Sequence, residues 1–347
     1  MSRQEHEDYL FKAIIGEDGN EEKLFDSPFE DEFLYFKQYK NALLNKYENY
    51  SFEDFKGSKI ENNDFGEVLK ITTEEPFDFK LKDNDYKESL KGNLKLIPGI
   101  GPAKEMRLRE KGYYNLKDLA SHDAYSRKAL KAIENIDNFE TGDLINLAKK
   151  NCYDKDSKKE IINSASLFDA KDFKFMDIET LGLSNVPIIL LGVAEIKKDR
   201  IVSTQYLLRT IEEEAAVLEA YKSHLDEYSA HVTFNGKYFD VPFIRNRLNY
   251  YRLSDDELNI PHFDLLYYAR QLWKNKLPNC QLQTIEKHVF GIERTGDVPG
   301  QHIPDYYNTY LKENNIGPLV PIVEHNRQDI VSLASFLMKM YDEVNGD

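Results

Sequence analysis

The sequence predicts an α/β protein: a mixed sheet covered by helices, preceded by a small helical domain. Three observations predict it. Short apolar runs alternate with helix-period stretches throughout residues 170–347, as expected for strands and helices in succession. Two of the runs, IILLGVAEI and IVSTQYLL, are joined by the polar KKDR, so a hairpin enters a sheet whose later strands are separated by helices. Residues 91–150 carry helical spacing around a Gly- and Pro-containing turn.

Composition narrows the class. A chain of 347 residues with 41% hydrophobic content has room for two or three domains and at least one large core. No apolar run is long enough to cross a bilayer, and the first residues, MSRQEHEDYLFKAIIGEDG, are too polar for a secretory signal. Cys152 and Cys280 are far apart and form no C-x-x-C pair, which argues against a disulfide framework or a zinc site. The expectation is a reduced, cytoplasmic protein. A net charge of −15 argues against a general polyanion binder. It leaves a nuclease open, because carboxylates that hold cations are themselves counted in that charge.

Taken in order, residues 1–90 form an accessory region of unknown role. EDEFLYFKQYKNALLNKYENY suits a helix, GSKIENND is a polar break, and FGEVLKITTEEPFDFKL has the look of short strands. Residues 91–150 form a helical domain, and a linker is placed near 151–168. From 170 to 347 the strands are FKFMDIET, the hairpin pair, AHVTFNG and the short PHFDLL. The helices are EEEAAVLEAYKSHLDEY, whose acidic first turn suits the helix dipole, VPFIRNRLNYY, and the terminal IVEHNRQDIVSLASFLMKMYDEV.

Four acids carry the chemistry. Asp177 and Glu179 alternate with Met176 and Ile178 on a buried-looking strand, so their side chains share one face. Two neighbouring buried carboxylates are costly unless a cation neutralises them. Asp240 precedes a helix with Pro242 in its first turn, and taken alone it reads more readily as an N-cap than as a ligand. Asp329 lies four residues after His325, so both project from one helix face; a solvated face with an incidental pair is the plain alternative. As a set, oxygen ligands from a strand, a helix start and a terminal helix suit two Mg²⁺ or Mn²⁺ ions clamping a phosphodiester, with His325 as general base.

FMDIETLGL, TFNGKYFDVPFI and EHNRQDIVSL resemble the three exonuclease motifs of the DnaQ-like (DEDD) superfamily. HFDLLYYARQLW, LQTIEKHVFGIER and DVPGQHIPDYYNTYL resemble the YprB-like ribonuclease H-like exonucleases in particular, and the similarity covers residues 170–342. The resemblance implies a ribonuclease H-like fold and 3′→5′ exonuclease activity. It carries the metal-binding acids over to Asp177, Glu179, Asp240 and Asp329, and the general-base position to His325. In the superfamily's His-type branch the base lies five residues before the last Asp, and in the Tyr-type branch four. Here a His stands at the four-residue spacing, so water or another residue could share its role.

Around this set, Asp264 is expected to support rather than bind the metals, and Asn235 to serve the turn. Trp273 is expected in the core. Arg270 and Arg294 are candidates for lining the strand path, and His302 is expected to be an inert loop residue.

The segment LIPGIGPAKEMRLREKG resembles the helix-hairpin-helix DNA-binding motif. Gly99 and Gly101 permit a tight turn with exposed amides, which bind phosphate without reading sequence. Lys95, Lys104, Arg107, Arg109 and Lys111 outnumber the nearby Glu105 and Glu110. Gly99, Gly101, Lys104 and Arg107 are the expected nucleic-acid contacts. The expectation is a nuclease that removes mononucleotides from 3′ ends, preferring single-stranded DNA, with RNA open. The alternatives are a non-catalytic nucleic-acid-binding adaptor and a structure-specific endonuclease with the same metals.

Overall fold

The computed structural model describes residues 28–82, 85–138, 143 and 161–345. Cys152 and residues 151–160 of the expected linker lie outside the described residues.

A seven-stranded sheet organises the molecule, in the order β1-β2-β5-β4-β3-β6-β7. β3 (Phe173–Thr180) lies between β4 and β6, and six of its eight residues are apolar or acidic. β4 (Ile188–Lys197) and β5 (Arg200–Leu207) follow as the expected antiparallel hairpin, turned through Lys198 at φ 60°. β6 (Ala230–Thr233) and β7 (His262–Asp264) run parallel to β3. The mixed sheet flanked by helices that the sequence predicts is therefore the observed architecture.

The first strands were less legible. β1 (Ser58–Asn63) and β2 (Gly66–Pro76) form a hairpin that pairs with β5 and lengthens the sheet at its edge. The polar break GSKIENND thus contains a strand. An outer edge strand with no fully buried residue needs no apolar alternation, and its charges deter edge-to-edge pairing. Helix α1 (Pro28–Lys46) braces this end of the sheet. Its Leu43 joins the core, Tyr306 Oη donates to Phe36 O at 2.9 Å, and Lys40 pairs with Asp305 at 2.5 Å.

Helices cover both faces. Met176 and Ile178 pack with α5 (Glu214–Lys222) and α6 (Asp240–Tyr251). On the opposite face, Phe173 and Phe175 pack with α7 (Leu265–Trp273) and the long α9 (Leu319–Asn345), which crosses β3, β4 and β5. α8 (Ile303–Glu313) sits beside α9. Residues 161–168, expected to be linker, are packed: Ile162 and Ala165 are buried in the core under α9. Residues 86–136 have a core of their own, built by α2 (Tyr86–Lys91), α3 (Pro102–Glu110) and α4 (Ser126–Asn138) around Leu90, Leu94, Leu108 and Leu119.

A buried ion network ties β3 to β4 away from the site. Lys174 Nζ meets Glu195 Oε1 at 2.6 Å, and His224 Nδ1 meets Glu195 Oε2 at 3.1 Å. Burial pushes the Glu195 carboxyl up, but His224 and Lys174 outweigh it and bring it from 4.5 down to about 2. A folded value below the unfolded one stabilises the protein above the unfolded value, and that stability is lost as pH falls through the folded value. Glu195→Gln is expected to cost about 3 kcal/mol near pH 7, since it strands a buried ammonium. The gap from wild type should narrow as the pH drops below about 4.5. Urea unfolding over that range measures it, and an equal gap at neutral and acid pH would refute the assignment.

Candidate catalytic centre

The strand period places Asp177 and Glu179 on the α9 face of β3, together with Phe173 and Phe175. What α9 presents to them is Asn326. Its Nδ2 donates to Asp177 O at 3.1 Å and Asp177 Oδ2 at 2.9 Å, while its Oδ1 accepts from Gln205 Nε2 at 2.9 Å. The approach depends on Gly192, which sits opposite Asp177 on β4; a Cβ there would collide with the Asn326 amide. Next to Asn326 and one turn beyond it on α9, His325 and Asp329 approach the same acids. His325 Nε2 lies 3.8 Å from Glu179 Oε1 and 3.7 Å from Asp329 Oδ2.

Asp240 arrives from α6. It is the first residue of that helix rather than its cap, a position held by Phe239. Its Oδ1 accepts from the Ile178 amide at 3.2 Å, so the carboxylate faces β3 between the two strand acids. The N-cap reading that prevails in isolation does not describe it. Asp264 holds the loop that delivers Asp240: it accepts from the amides of Asn235 at 2.8 Å and Lys237 at 3.1 Å, and caps α7 through Leu266 N. Asn235 adopts φ 73° in that turn.

The electrostatics show what this convergence costs. Burial, then Glu179, Asp240 and Asp329, raise the Asp177 carboxyl well above its ordinary range. Burial raises Glu179 to about 8, despite the opposing His325, with Asp329 and Asp240 adding to the rise. Burial raises Asp240 to about 7 against the two amides that hold it. Mutual repulsion among desolvated carboxylates is what a bound cation relieves.

Two partners, Asp297 and Asn326, escaped the sequence reading, and a third, Arg294, was expected in another role. Asp297 Oδ1 holds His325 Nδ1 at 2.6 Å, which leaves Nε2 aimed at the acids. Burial opposes the charged imidazole, but Asp329, Asp297 and Glu179 prevail and raise it to about 9. Arg294, expected on the strand path, points inward: it forks onto buried Glu286 at 2.6 and 2.8 Å and reaches Asp329 Oδ1 at 2.5 Å. Asn326 did leave a signal: a polar residue on the same apolar helix stripe as Ile322, Ile330 and Leu333.

As they stand, no three His, Cys, Asp or Glu side chains among the described residues are drawn together to hold an ion. Arg294 pairs with Asp329, Asn326 holds Asp177, and Asp297 holds His325. The donor set nonetheless fits a hard divalent cation: all-oxygen, multiply anionic and desolvated.

Other expected residues scatter. Trp273 is buried in the core and Arg270 is exposed. His302 packs its ring 4.5 Å from Phe36 instead of lying free in a loop. In the glycine hairpin, Gly99 takes φ 95°, and a Cβ at Gly99 or Gly101 would meet open space. Arg107 and Lys111 are exposed. Lys104 turns back to donate to Gly99 O at 2.8 Å, and Arg109 folds onto Glu105 at 2.8 Å, so part of the local positive charge is spent within the motif.

Residues 174–341 match the family model described as RNase_H superfamily, and this stretch is a ribonuclease H-like domain. Members of that superfamily are generally nucleases that use divalent metal ions. "Uncharacterized protein YprB" of Bacillus subtilis (strain 168) is 36% identical over 188 residues, covering 52% of this chain and 45% of that protein. The chain thus spans less than half the length of that relative. No helix among the described residues is long and apolar enough to cross a membrane.

Proposed function

We propose, from a ribonuclease H-like domain whose buried and half-buried acids face one another across β3, α6 and α9, that the chain is a metal-dependent 3′→5′ exonuclease preferring single-stranded DNA. The observation that carries it is geometric: Asp177 and Glu179 share one face of β3, Asp240 accepts from the Ile178 amide between them, and the His325 imidazole lies 3.8 Å from Glu179 and 3.7 Å from Asp329. Asp177, Glu179, Asp240 and Asp329 would hold Mg²⁺ or Mn²⁺. Bound ions supply charge to offset the carboxylates and the developing phosphorane, and a water acidified for attack. Asp297 orients the His325 imidazole with Nε2 toward the acids, where it takes a proton from the attacking water once the surrounding negative charge is balanced. Arg294 and Asn326 fix the carboxylates they touch and thereby limit how far those ligands wander. The hairpin at Gly99 and Gly101, with Arg107, anchors the strand by its backbone and raises the local concentration of its end.

The test uses matched single- and double-stranded DNA and RNA, labelled at either end, with Mg²⁺ or Mn²⁺ and Asp177→Ala as control. Mononucleotides released from a free 3′ end, and protection by a blocked one, are expected. Longer fragments insensitive to the block would assign an endonuclease, and intact substrate with both metals would assign a binding protein.

A further inference from the structure

Beside the candidate centre, between α1, β2 and the start of α9, lies a cavity of about 660 Å³. That is within the roughly 300–1,000 Å³ of small-molecule sites. We propose that it is a subsite for one or two nucleotide units of a single DNA strand, away from the scissile bond. The inference rests on the exonuclease reading and extends it to where the rest of the strand goes.

Aromatic faces form one wall. Tyr35 and Tyr39 lie nearly parallel on α1, with centroids 6.3 Å apart and planes 18° from one another, and Tyr47 continues the wall. Such surfaces stack bases without regard to sequence, each stacked base contributing about 1–3 kcal/mol. Charge supports the same occupant. The cavity's acids are already engaged: Arg327 holds Glu324 at 2.6 Å and Glu75 at 3.4 Å, and Arg200 holds Glu74 at 3.3 Å. Lys46 and Lys56 line the cavity with no acidic partner among the described residues; Lys46 rests 5.0 Å from the Tyr47 ring centroid. Glu74, Glu75 and Glu324 are thus matched in the lining by Lys46, Lys56 and Arg327, and Arg200 adds a further cation at its edge, in a chain whose net charge is −15.

Continuity completes the argument. A smaller cavity of about 220 Å³ is lined by Asp297, Arg294 and His325 of the candidate centre. Both cavities share Thr295, Gly296, Glu324 and Arg327 as walls, so the tyrosine cavity directly adjoins the one that holds the imidazole. The aromatic and cationic wall comes from residues 35–56, outside the stretch that matches the superfamily. The added helix and hairpin would thus give this domain a binding surface that residues 174–341 do not contribute.

The experiment measures binding of the full chain to a fluorescent thymidine oligonucleotide in EDTA, by anisotropy across a salt series. Lys46→Glu/Lys56→Glu should weaken binding about tenfold or more and reduce the salt slope by about two. Lys37→Glu, an exposed charge reversal on α1 outside the cavity, controls for net charge. Lys56→Glu alone, at an exposed position, reads the same direction if the double variant does not fold. An iododeoxyuridine oligonucleotide, cross-linked by light and mapped by mass spectrometry, should label Tyr35, Tyr39 or Tyr47. Affinity equal to the Lys37→Glu control, or cross-links confined to other parts of the chain, would overturn the subsite. Because EDTA separates binding from cleavage, lysine-dependent binding in a protein that cleaves nothing keeps the subsite and removes the exonuclease reading.

Discussion

Asp177→Asn is expected to abolish metal-dependent cleavage and, in EDTA, to stabilise the chain. The carboxamide keeps the shape of the side chain and can still accept from Asn326 Nδ2. It removes one anionic ligand, for which a loss of about 1,000-fold or more in cleavage is expected. The sign of the stability change follows from the raised carboxyl. A group whose folded pKa exceeds its unfolded one favours folding below the unfolded value, and that contribution is lost as pH rises through the folded value. Above the ordinary carboxylate range the metal-free protein therefore bears a cost, from burial and from Glu179, Asp240 and Asp329, that the amide relieves. A gain of about 1–2 kcal/mol in urea unfolding is expected. Added Mn²⁺ should raise the stability of wild type and do much less for the variant, because an ion that binds only the folded state stabilises in proportion to its affinity. A variant that is less stable in EDTA and still cleaves within tenfold of wild type would remove Asp177 from the site.

Gly192→Ala should be nearly as damaging without touching an ionisable group. The new methyl would occupy the space of the buried Asn326 amide, and α9 can make room only by lifting off β3 and β4. Overpacking of this kind costs about 1–3 kcal/mol. The functional cost is larger, since His325 and Asp329 ride on the displaced helix, and misplacement by about 1 Å can cost about 100-fold. Gly192→Ala/Asn326→Ala should recover much of the stability, giving a coupling of about 1 kcal/mol or more in a double-mutant cycle. If Gly192→Ala alone unfolds and cleaves like wild type, the close approach of α9 to the sheet is not what positions the centre.

Both variants bear on how much could be read without coordinates. The alternation of Asp177 and Glu179 with Met176 and Ile178 suffices to put the acids on one face of a strand, and that is where they are. The spacing of His325 and Asp329 likewise puts them one helical turn apart. Asp240 is different. From its neighbours it reads as a helix cap, and only its hydrogen bond to Ile178, 62 residues away, shows it facing the strand acids. Asp297 and Arg294 reach His325 and Asp329 across 28 and 35 residues, with no periodic signal to link them. The β1–β2 hairpin was partly hidden because an exposed edge strand is not required to alternate.

The sequence alone determined the alternation of elements and the chemical types available at each turn, because helix and strand periods are local properties of the backbone. The tertiary structure decided which charges meet. It put Asn326 into the gap left by Gly192, turned Arg294 inward onto Glu286, and left a cavity between α1 and α9. Coulomb energies and desolvation depend on distance and burial, and for residues far apart in the chain those are set by packing.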